Sequence, residues 1–270
     1  MSNTFHINRL FLLIARQWIS VGKIYLMAIG IVAGVIACFY GYALYEFNAA
    51  TAGSYYIPQG LLDFRVLLFI FLGMFFITII SGTYFSDYGQ KPKAIFETLI
   101  PASRLEKFLT AIFYTVVACL ISYIAVFLLL DFAFVSYLRT RTAALSAMAA
   151  DDVGYVDRSL AYFINLNIPK NAKYFYFLPF LFNAIFLLGS IAFKSFQYIK
   201  TAISLIVYIA IWSFLTVYIM KTLTEGSVSV QQHNFWEEEH RIFQVFLSAG
   251  ITLAILLWGI AFLRLKEKEV

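Results

Sequence analysis

Six stretches of this chain carry no Asp, Glu, Lys, Arg or His: Ile24–Tyr45, Val66–Tyr84, Phe108–Leu130, Tyr174–Phe193, Ala202–Met220 and Gln244–Leu263. Each is close to the roughly 20 apolar residues a helix needs to cross about 30 Å of hydrocarbon. Lipid offers no partner to an open backbone N–H or C=O, so such a segment must close its hydrogen bonds within itself. Helix does this; strands do it only in a closed barrel, whose alternating pattern these unbroken runs lack. Composition agrees, with 62% hydrophobic and 13% charged residues, where a soluble domain holds about 25% charged. The expectation is an all-α integral membrane protein in which residues 1–270 form a single transmembrane domain of six spans.

Loop charge sets orientation. With the N-terminus inside, the inner segments 1–23, 85–107, 194–201 and 264–270 hold twelve of the twenty Lys and Arg residues against five acids. The outer loops hold eight basic and ten acidic residues. Both termini are therefore expected in the cytoplasm.

Three segments are more than simple links. In Thr4–Val21, Ile7, Leu10, Phe11, Ile14 and Trp18 recur at helical spacing while His6, Arg9, Arg16 and Gln17 fall elsewhere. That pattern suits an amphipathic helix in the inner interface or, alternatively, a cytoplasmic extension of span one. The outer loop Arg139–Lys173 is long enough to cap the outer face, with a weak helix signal in "AALSAMAADD". The third is "FETLIPASRLEKFL", residues 96–109, between spans two and three. Pro92 is placed to open a short helix and Pro101 to stop it, because the residue before a proline is driven out of the α region. Ser103 and Glu106 then form an S-x-x-E capping box that starts span three. A bare link between antiparallel helices needs only about 2–8 residues. This longer elbow is expected to present Tyr88, Lys91, Lys93, Phe96, Glu97, Arg104 and Glu106 toward a soluble partner.

"LIPASRLEKFL", entering a span after an earlier one ending "SGTYF", resembles the short permease subunits of bacterial type-2 ABC transporters. The six spans, the N-terminal amphipathic segment, the elbow and the basic tail "RLKEKEV" extend the likeness over the whole chain. The resemblance implies that the elbow holds the coupling helix, seated in a cleft of a separate ATPase subunit. It also implies a second permease subunit, identical or not, with spans one and five lining the contact. The setting would be the bacterial inner membrane and the cargo an amphipathic molecule, mostly exported. The chain has no G-x-x-x-x-G-K-[ST] motif, so ATP and Mg belong to the partner and no cofactor is expected on this chain. Neither nucleic-acid binding nor an enzymatic activity is expected.

Span one carries Gly30 and Gly34 as G-x-x-x-G, extended by Ala37, Cys38 and Gly41 into a ridge of small residues. Such a ridge admits a close helix neighbour, either another subunit or this one. Asn183 is a polar group at membrane depth, suited to interhelical hydrogen bonding or to the substrate path. Pro179 before it either kinks span four or occupies its first turn. In "HNFWEEEHR", His233, Glu237 and His240 could share a helical face, but a metal bundle built on Glu-x-x-His needs two copies. The segment reads as a solvated face of a short outer helix, and no metal site is expected. Cys38 and Cys119 lie in apolar runs and predict no disulfide.

A secondary transporter or channel commonly needs ionisable groups at membrane depth, which the six stretches lack. A membrane-embedded enzyme would cluster His, Asp, Glu, Cys or Ser at the membrane edge. A scaffold or sensor subunit borrowing a permease fold is a further alternative.

Overall fold

The computed structural model describes residues 5–51, 60–89, 94–95, 99–146, 160–166, 170–223 and 239–268. They are helical almost throughout. Helix α1 runs Ile7–Thr51, α2 Phe64–Tyr84 and α3 Arg104–Ile112. A π-helical turn, Phe113–Ala118, leads directly into α4, Cys119–Ser146. Then come α5 Leu178–Ala192, α6 Gln197–Leu223 and α7 Glu239–Lys268. Six helical segments are long and apolar enough to cross a membrane, and they contain all six expected stretches apart from Phe193. The chain is a multi-pass membrane protein.

The segment before span one is continuous with it in α1, which is the second of the two readings offered for it. One expected boundary changes. The outer loop begins later than Arg139, because α4 continues to Ser146. The cause is local: "YLRTRTAALS" contains neither Gly nor Pro, so nothing halts the helix at the membrane edge.

The chain divides into two compact units. The first comprises Met1–Leu13, Ile77–Val116 and Pro169–Val270. Its core gathers Phe85, Phe108, Ala111, Leu187, Ile191, Ala261 and Leu265. Close approach depends on glycines, among them one in α5 and one in α7. A Cβ on Gly189 of α5 would collide with the Thr201 side chain of α6, and one on Gly250 of α7 would strike the Phe177 ring. Pro179 sits in the first turn of α5, where its missing N–H costs nothing.

The second unit comprises Ile14–Phe76 and Val117–Ile168. The buried face of α1 there is Tyr25, Val32, Ile36, Tyr40, Ala43 and Phe47, at helical spacing. Aromatic rings fill the space: Phe69 meets Phe127 at 4.9 Å and Phe163 at 5.0 Å between centroids, edge-on or tilted. Such geometry suits the ring quadrupoles.

Candidate functional site

The elbow between α2 and α3 belongs to the first unit. It opens with a 3-10 turn, Ser86–Gly89, held on the α5–α6 connection by Gln197 Nε2 donating to the Ser86 carbonyl at 3.3 Å. Gly89 lies so close to the Lys194 carbonyl that a side chain would not fit. Ile95 and Leu99 are joined by a helical backbone hydrogen bond of 3.1 Å. Pro101 then interrupts, and Ser103 caps α3 with its backbone extended at φ −71° and ψ 152°. The capping box is complete: the Glu106 N–H donates to Ser103 Oγ at 3.3 Å and the Ser103 N–H to Glu106 Oε2 at 2.7 Å.

Glu106 does more than cap. Its other oxygen accepts from the His6 N–H at 2.8 Å and stands 3.4 Å from Arg9 Nη2. Its side chain is 0% exposed. The expectation that Glu106 faces the cytoplasm for docking is therefore corrected. The carboxylate ties the start of α1 to the start of α3, and burial leaves no surface for a partner. Arg104 is half-buried, and Leu105 beside it is exposed. Tyr88 is half-buried, its ring edge-on to Phe85 at 5.6 Å. Lys91, Lys93, Phe96 and Glu97 lie outside the described residues, as do His233 and Glu237 of the acidic cluster. Among the described residues no three His, Cys, Asp or Glu side chains gather to hold a metal ion. Cys38 and Cys119 are free thiols.

Asn183 is buried and fully engaged. Its amide donates to Ser81 Oγ at 2.6 Å and to the Thr115 carbonyl at 3.1 Å, and its oxygen accepts from the Trp258 indole at 3.1 Å. One side chain thus links α2, the π-helical turn, α5 and α7. A π-helical turn offsets the regular hydrogen-bond ladder, and here one of its carbonyls serves a side chain from another helix. Of the two readings for Asn183, interhelical bonding is the one the contacts express.

Among the described residues nothing packs closely on the α1 ridge: Gly30, Gly34 and Gly41 are exposed, Ala37 half-buried, and a Cβ on any of the three glycines would meet nothing within 4 Å. Along α6 every residue from Ile206 to Thr222 is exposed.

In the second unit a charged cluster appears that the reading of spans passed over. Arg65 and Asp131 are 2% exposed and 3.1 Å apart. Asp131 Oδ1 also accepts from the Tyr40 hydroxyl at 2.6 Å, and Oδ2 from the Phe163 N–H at 2.8 Å. Arg65 donates onward to the carbonyls of Leu62 and Ala161. Arg139 bonds the Leu160 carbonyl at 2.9 Å and lies over the Tyr162 ring. Three charged side chains thereby hold the backbone strap Leu160–Phe163. The sequence signal was available: Arg65 precedes span two and Asp131 follows span three by one residue, so an antiparallel pair sets them at the same level. In the loop-charge reading both count only among the outer-loop residues.

No family model, no curated protein and no solved structure matches this chain.

Proposed function

We propose that the chain is the membrane-spanning permease subunit of an ATP-driven transporter of the ABC class, working with a separate ATPase subunit and a second permease subunit. The observation that carries this reading is the elbow after α2, both of whose described ends are fixed by hydrogen bonds. It is anchored at one end by the Ser86–Gly89 turn and at the other by the Ser103–Glu106 cap, which also takes hold of α1 through His6 and Arg9. A push on such a joint moves three helices together, because each is hydrogen-bonded to it. Exposed Ile95, Leu99 and Leu105 supply apolar contact for a soluble motor, and half-buried Arg104 adds charge. The uncovered α6 and the glycine ridge of α1 are the surfaces for the second permease subunit. The bundle itself is passive: ATP and Mg bind the partner, and closure of the motor opens the paired spans to a lipid-like, peptide or other amphipathic cargo. The protein sits in the bacterial inner membrane with both termini cytoplasmic.

The test is retention of a partner. The tagged chain, expressed in its own host and solubilised gently, should carry an ABC-type ATPase through purification. The pair Arg104→Glu and Leu105→Asp should release it while leaving the permease monodisperse. A well-folded chain that never retains an ATPase, or one whose ATPase is indifferent to both changes, removes the reading.

A further inference from the structure

An apolar groove of about 400 Å³ runs between the N-terminal part of α5 and α7, wholly within the first unit. Its α7 wall is Leu247, Ile251, Ala254 and Trp258, residues that share one helical face. Its α5 wall includes Phe177, whose ring lies directly on Gly250. From Leu247 to Trp258 the helix rises about 16 Å at 1.5 Å per residue. Half of a hydrocarbon core of about 30 Å is about 15 Å. The groove therefore has the length of one acyl chain in one leaflet. Its floor is fixed, because the Trp258 indole is pinned by Asn183 at 3.1 Å.

The ends of α5 and α7 at which the groove begins carry the polar groups expected at headgroup depth. Tyr174 is hydrogen-bonded to the His240 ring and stacked on Phe243 at 5.7 Å. The ammonium of Lys173 lies 5.1 Å from the centre of the Tyr174 ring, with its side chain exposed. Arg241 follows His240 on α7. A basic group beside apolar length complements a lipid phosphate.

We propose that this groove binds an acyl chain of a phospholipid, with the lipid's phosphate held at Lys173. This site does not require an ATPase partner, so its failure and the failure of the transporter reading are separate results.

The full chain in nanodiscs would be photolabelled with phosphatidylethanolamine bearing a mid-chain diazirine, and the adducts mapped by peptide mass spectrometry. Helix α6, bare from Ile206 to Thr222, reports the background of bulk lipid in the same sample. Adducts should concentrate on Leu247–Trp258 above the α6 level. Ala254→Trp or Ile251→Trp, each filling the groove, should lower them to that level and leave α6 labelling unchanged. Lys173→Glu should lower groove labelling by the phospholipid several-fold. It should leave labelling by a diazirine diacylglycerol, which has no phosphate, unaltered. Groove labelling no higher than that of α6 overturns the proposal. So does equal loss of both probes in the Lys173 variant, which would mark a change of fold rather than of headgroup contact.

Discussion

Asp131 accepts from three donors: Tyr40, Arg65 and the Phe163 N–H. Removing one partner of a buried pair strands the other charge, at about 3–5 kcal/mol. Asp131→Ala is therefore expected to be among the most damaging single changes in the protein, read as reduced stability in detergent unfolding. Combining Arg65→Met with Asp131→Leu should recover part of the loss, since both charges are then gone. Recovery stays incomplete because the Tyr40 hydroxyl and Phe163 N–H keep no acceptor. A single variant as stable as wild type would show that the cluster holds nothing. At this scale the sequence was legible where partners are near in the chain. Ser103 and Glu106 stand three apart and form the capping box their spacing predicts. Their distant partners were not legible: nothing in local spacing tells Glu106 that His6 and Arg9 will reach it from a hundred residues away. Local spacing alone therefore leaves the carboxylate on the surface.

Among the elements, the six spans were the most readable feature, because apolar length and lack of charge are conditions the bilayer imposes on each segment alone. The π-helical turn Phe113–Ala118 was invisible, since "FYTVVA" carries no local mark of it. Its carbonyl at Thr115 is used by Asn183, a tertiary demand. The two kinds of glycine found in these helices give a paired prediction. A Cβ on Gly189 would overlap the Thr201 side chain, so Gly189→Leu overpacks the α5–α6 junction and should cost about 1–3 kcal/mol. Gly34 faces open space, so Gly34→Leu should leave the stability of the isolated chain unchanged and shift a paired permease toward monomer in light scattering. Equal thermal loss in both variants would mean that the α1 ridge is internal packing. No shift in association would remove the α1 ridge from the subunit contact.

For the whole molecule, the account comes down to which side of the membrane meets the elbow. Two residues on opposite sides of the expected bilayer are exposed enough to report it: Leu105 beside the α3 cap and Ile164 just after the strap, 50% and 75% exposed. With Cys38 and Cys119 replaced by alanine, single cysteines at these positions can be treated in intact cells with a membrane-impermeant maleimide. The elbow is predicted to label only after the cells are opened, and the strap to label from outside without opening. A cysteine at 105 modified in intact cells, with 164 protected, would put the elbow beyond the reach of any cytoplasmic motor and contradict the account.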